Sequence, residues 1–110
     1  MFHYSFMLRD QSIQIILNEV FSGEFGTTIW PSSAQLAKVI FQNAEQFNNN
    51  VVLELGCGPG LSGIAAAKCG STVYLTDLST PSSILENCKM NCVINHVEDK
   101  TTVVCSIYFI

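Results

Sequence analysis

The run Glu54-Leu55-Gly56-Cys57-Gly58-Pro59-Gly60 sets three glycines within five residues, directly after the apolar stretch Val51–Leu55. A glycine turn at a strand end uses backbone angles closed to other residues and lets a ligand approach the main chain. In an open α/β sheet, ligands lie beyond the carboxyl ends of the strands, where this turn would sit. Glu54, two residues before Gly56, would repel a phosphate there and accommodate a cationic sulfonium or ammonium group. Asp77 closes a second apolar run, Thr72–Thr76. An acid about 20 residues after the turn, at the tip of the neighbouring strand, is placed to accept hydrogen bonds from ribose hydroxyls. Together these residues point to a nucleoside-type cofactor that carries positive charge.

Two other cofactor classes compete for such a loop. A phosphate-cradling loop needs G-x-x-x-x-G-K-[ST], and no glycine here precedes a lysine. A dinucleotide fingerprint needs G-x-G-x-x-G or A, whereas the sixth position from Gly56 is Leu61 and the third glycine arrives early, at Gly60. Cys57, Cys69, Cys88, Cys92 and Cys105 are odd in number and contain no C-x-x-C pair, so free thiols are expected, with neither a disulfide framework nor a metal site. His3 and His96 have no partner pattern and read as surface or loop residues. Five Lys and Arg against nine Asp and Glu give a net charge of −4, without the basic footprint that drives nucleic-acid binding. No secretory leader, lipidation motif or long apolar span is visible, so no membrane partner is expected and the cytoplasm or nucleus is the expected location.

These residues need elements to hold them. At 110 residues, 48% hydrophobic and 13% charged, the chain has the length of one ordinary domain and enough apolar surface for a core. Tyr4 to Val20 alternates like a β-hairpin or ribbon, and Phe21 to Thr28, with Gly23 and Gly26, reads as a loop. Ser32 and Gln35 have the spacing of a capping box, opening one amphipathic helix with Leu36, Ala37, Ile40, Ala44 and Phe47 on its apolar face, ending at Asn48-Asn49-Asn50. Strand Val51–Leu55, the glycine turn, and a helix closed by Gly70 follow. After the second strand, a helix beginning at Ser79-Thr80-Pro81 would bury Ile84, Leu85, Cys88 and Cys92, with Asn87 and Asn91 facing solvent or capping a turn. Thr101 to Ile110 reads as a third parallel strand. The fold class is α/β with a parallel sheet.

The run VVLELGCGPGLSGIAAAKCGSTVYLTDLS resembles motif one through the second-strand acid of the seven-stranded S-adenosylmethionine-dependent methyltransferases. The upstream GTTIWP, Gly26 to Pro31, is similar to methyltransferase family 16, the branch that includes protein lysine methyltransferases. The resemblance spans about Tyr4 to Val104. It implies a Rossmann-like fold, an N-terminal β-ribbon and loop over 1–30, and the N-terminal half of a cofactor-binding methyltransferase domain over 31–110. It also implies S-adenosyl-L-methionine as cofactor, with Gly56, Gly58 and Gly60 lining its backbone contact, Glu54 near its methionine end and Asp77 on its ribose. Trp30 would pack against the cofactor or serve as a core aromatic at the helix entry. The acceptor would be a protein lysine or arginine, and a chaperone or partner-protein complex would be a further partner. Where the family's third strand ends in an acid or Thr followed by Trp-Gly, this chain has Cys105-Ser106-Ile107-Tyr108-Phe109-Ile110. The family's fourth strand has no counterpart, so the resemblance implies a truncated enzyme or, alternatively, an inactive fragment that acts as an interaction module.

Overall fold

A computed structural model describes residues 1–20, 28–80 and 82–106. Residues 21–27 of the loop predicted over Phe21 to Thr28, with Gly23 and Gly26, Pro81, and the predicted continuation of the last strand over 107–110 lie outside the described residues. The chain begins with the hairpin β1 (Phe2–Leu8) and β2 (Gln11–Leu17), antiparallel with Phe2 opposite Leu17 and Leu8 opposite Gln11. The two residues of its turn, Arg9 and Asp10, both take positive φ, at 49° and 67°. That is the sense of twist a two-residue hairpin turn requires, here adopted without glycine.

The helix α1 (Pro31–Gln42) does not use the capping box expected at Ser32. Its N-cap is Trp30, with no side-chain cap, and the Ser33 amide donates to the Trp30 carbonyl at 2.9 Å. The locked φ of Pro31 suits the first helical position, so Ser32 already lies inside the first turn. Nor does one helix run to Asn48. Asn43 turns out of helical geometry and its side-chain amide donates to the Val39 carbonyl at 2.8 Å, a local bond that competes with the helix ladder. A single short turn, α2 (Ala44–Phe47), completes the segment. Ala37, Ile40, Phe41 and Ala44 are buried, whereas Leu36 is exposed.

The sheet contains β3 (Val51–Leu55), β4 (Thr72–Asp77) and β5 (Thr101–Cys105), all parallel and in chain order. The connections are α3 (Leu61–Lys68) and α4 (Ser83–Ile94). α4 starts at Ser83, two residues after Pro81 and later than the sequence suggests. Gly70, at φ 103°, follows the last residues of α3 and ends it as expected. α3 and α4 cover one sheet face, where Val73 and Leu75 are fully buried and Val52 and Val103 pack against the core. α1 packs on α3, and the hairpin closes the layer with Ile15 and Leu17 fully buried and the Phe6 ring centroid 5.0 Å from that of Phe41. The opposite sheet face is bare among the described residues: Val51 is 71% exposed, Leu53 50%, Leu55 65% and Tyr74 41%.

Candidate functional site

The site grows from the carboxyl ends of β3 and β4. The Cys57 amide donates to the Thr76 carbonyl at 2.9 Å, and the Thr76 hydroxyl donates to the Glu54 carbonyl at 2.7 Å, so the two strand tips are stitched where the turn begins. Gly56, Gly58 and Gly60 all take positive φ, at 68°, 52° and 99°. They do so for different reasons. A side chain built on Gly56 would meet nothing within 4 Å, so its backbone faces open space. One built on Gly60 would come within 3.0 Å of the Cys88 sulfur, so that glycine is needed for packing under the turn whether or not a ligand lies above it.

Asp77 is bound to the turn it was expected to accompany. Its Oδ2 accepts from the Gly58 amide at 2.9 Å and its Oδ1 from the Leu78 amide at 2.7 Å. Each carboxylate oxygen keeps a further lone pair for a ligand hydroxyl. Glu54 sits below, half-buried, with Oε1 accepting from the Gly63 amide at 3.1 Å in the first turn of α3. Burial pushes its carboxyl up to about 7, aided by the nearby Asp77 charge and opposed by the Gly63 hydrogen bond. A negative charge held at this cost is best compensated by an incoming cation.

The remaining wall comes from α1. The Ser62 hydroxyl of α3 donates to the Ser33 carbonyl of α1 at 3.3 Å, which brings the first turns of the two helices together. Trp30 caps α1 there and is 48% exposed. The structure thus brings Glu54, the glycine turn and Asp77 together and sets Trp30 at the neighbouring helix start. Beneath the turn the Cys57 and Cys88 sulfurs are 3.7 Å apart and Cys92 is buried nearby, all as free thiols. Hydrogen bonding to Cys57 and Cys92, and then burial, push the Cys88 thiol up, so it packs as a neutral group. His3 and His96 are exposed. Among the described residues no group of three or more His, Cys, Asp or Glu could hold a metal, and no helix is long and apolar enough to cross a membrane.

The expectation of solvent-facing asparagines on α4 is overturned. Asn87 and Asn91 do not face solvent: they are 2% and 0% exposed, and Asn95 one turn on is 4% exposed. Their carboxamides bind the outer edge of β2 and the chain that leaves it. Asn95 exchanges both hydrogen bonds with the Ile16 backbone, at 2.9 and 2.7 Å. Asn91 and Asn87 bind the Asn18 segment, and Asn91 also donates to the Pro59 carbonyl at 2.9 Å. The reason is backbone satisfaction: among the described residues β2 has no strand on its outer side, and buried main-chain groups need partners. A signal existed in the sequence, since asparagines recur every fourth residue on the stripe shared with Cys88 and Cys92.

Comparison with known proteins identifies the family. A family model described as lysine methyltransferase matches residues 9–107. The chain is 34% identical over 98 residues to the histone-arginine methyltransferase METTL23 of Xenopus laevis, covering 86% of this chain and 42% of that protein. It is 36% identical over 69 residues to the human protein of the same name, covering 63% of this chain and 36% of the relative. It is also 32% identical over 77 residues to the electron transfer flavoprotein beta subunit lysine methyltransferase of Danio rerio, covering 70% of this chain and 30% of that protein. The chain therefore spans well under half the length of these relatives. With a parallel α/β sheet, a glycine turn between two acids and a family match over nearly its whole length, the chain belongs to the lysine methyltransferase family.

Proposed function

We propose that this chain carries the S-adenosyl-L-methionine-binding part of a protein methyltransferase whose acceptor is a lysine or arginine side chain. The observation that carries the reading is the glycine turn held between Glu54 and Asp77, with open space above Gly56, at the carboxyl end of a parallel sheet. The acid pair suits a cofactor that is cationic at one end and bears ribose hydroxyls at the other. The acceptor class rests on the names of the relatives, which act on histone arginine and on a flavoprotein lysine.

When bound, S-adenosyl-L-methionine supplies a methyl group from its sulfonium centre. Glu54 would hold negative charge beside that cationic end, and Gly56 would admit it close to the backbone. Asp77 would accept ribose hydroxyls with its remaining lone pairs while gripping Gly58, and Trp30 would flank the cofactor from the α1 start. Methyl transfer of this kind leans on proximity and orientation, which these residues provide on one side of the reaction. We assign residues 31–110 to the N-terminal half of the cofactor-binding domain and 1–30 to a β-ribbon and loop that lead to it through Trp30. The free thiols suit a reducing compartment, cytoplasm or nucleus.

Calorimetric titration with S-adenosylhomocysteine tests the reading. Asp77→Ala should weaken binding about tenfold or more, the scale of one charge-assisted hydrogen bond or two. Equal affinity in wild type and variant would remove the site assignment. A second reading, an inactive interaction module, is favoured by the bare apolar sheet face of Val51, Leu53, Leu55 and Tyr74. A folded chain with no measurable affinity for S-adenosylhomocysteine or S-adenosylmethionine would select it.

A further inference from the structure

The asparagines of α4 do more than fill the core. Asn91 uses every hydrogen-bonding group it has: Oδ1 accepts from the Asn18 amide at 2.7 Å, and Nδ2 donates to the Asn18 carbonyl at 3.0 Å and to the Pro59 carbonyl at 2.9 Å. One fully buried carboxamide thus joins the glycine turn to the chain leaving β2. Asn18 is followed by Glu19, whose Oε2 accepts from the Ile29 amide at 2.8 Å, and Ile29 precedes Trp30. Pro59, Asn91, Asn18, Glu19 and Ile29 therefore form a continuous path between the two sides of the candidate site. Asn95 supplies the contrast: it binds the Ile16 edge, the Asn91 carbonyl and, through its own carbonyl, Lys68, and among the described residues its side chain does not bond to the turn.

We propose that Asn91 is a positioning residue that fixes the glycine turn relative to the Trp30 segment, so that both meet one cofactor. The proposal rests on the cofactor reading above. Loss of the carboxamide leaves the Pro59 carbonyl and the Asn18 amide without their partner, while the Asn18 carbonyl keeps only its bond from Asn87, and a buried unpaired group drives local rearrangement. The rearrangement reaches the turn directly and the Trp30 segment through Asn18 and Glu19.

The test compares Asn91→Ala with Asn95→Ala in the 110-residue chain, reading S-adenosylhomocysteine affinity, thermal melting and amide hydrogen exchange at Gly58 and Gly60. Both variants should melt earlier. Only Asn91→Ala should weaken binding, by about tenfold, and only it should speed exchange at the two glycines. Asn91→Ser, which keeps one donor, should fall between and serves if the alanine variant does not fold. Glu19→Ala should weaken binding as well, and the double variant with Asn91 should lose less than the two single losses combined, because both act on one path. The same loss of affinity in Asn91→Ala and Asn95→Ala, or full additivity with Glu19→Ala, would overturn the proposal. If wild type does not bind S-adenosylhomocysteine the cofactor reading fails. The exchange comparison then still decides whether Asn91 holds the turn, since unchanged Gly58 and Gly60 exchange in its variants would overturn that.

Discussion

Glu54 is the residue where the chemistry of the site and the stability of the fold meet. Its carboxyl, raised from 4.5 to about 7, holds a proton in the folded chain over a range where the unfolded chain has released it. The folded state binds more protons between those values, so stability from this group is fully present below about pH 4.5 and is lost as pH rises to 7. The shift corresponds to about 3 kcal/mol. Chemical unfolding at pH 5 and pH 8 should show that fall in wild type, and Glu54→Gln should flatten it. Cofactor affinity should run the other way, rising with pH through 7 as the carboxylate becomes available to a cation, and Glu54→Gln should abolish the rise in a calorimetric series. Gly63 belongs to the same contact: a methyl there would lie 2.4 Å from a Leu75 methyl and 2.9 Å from Glu54 Oε1. Gly63→Ala should destabilise the chain by about 1–3 kcal/mol, read from its denaturant midpoint, because the core at that point has no room.

Among the elements, the hairpin turn shows strain that the sequence conceals. Arg9 and Asp10 occupy positive φ without glycine, and a left-handed residue with a side chain costs about 1–2 kcal/mol. Replacing the pair by Asn-Gly should raise the melting temperature and the unfolding free energy by about 1 kcal/mol with the register of β1 and β2 unchanged. The hairpin itself is legible in the alternation of Ile13, Ile15 and Leu17, and β3 and β4 in their short apolar runs bounded by glycine and acid. Helix ends are less so. Ser32 and Gln35 carry a capping signal, but Pro31 beside them is the stronger constraint, and Asn43 breaks a helix whose apolar spacing continues past it. For the α4 asparagines residue type suggests solvent, whereas their carboxamides bind backbone groups of Ile16 and Asn18, more than 65 residues away in the chain, and of Pro59.

For the molecule as a whole, the dominant feature is a sheet covered on one side only among the described residues. Val51, Leu53, Leu55 and Tyr74 present a contiguous apolar surface, and surfaces of that kind promote association. Leu53→Lys with Leu55→Lys should raise the concentration at which the chain stays monomeric in sedimentation, with an unchanged circular dichroism spectrum, since both side chains are already half exposed or more. The chain spans 42% of the Xenopus laevis METTL23 and 36% of the human protein.

The α/β class, the order of the strands and the placing of Glu54, Gly56, Gly58, Gly60 and Asp77 at strand ends are legible in the chain, because periodicity and glycine spacing act over a few contiguous residues. What each of them touches is set by contacts across the fold. Asp77 grips Gly58, Gly60 yields to Cys88 while Gly56 opens to space, and Asn91 ties the turn to the hairpin. Each of those relations is made between segments distant in sequence, where burial and unsatisfied backbone groups, and not local pattern, set the partner.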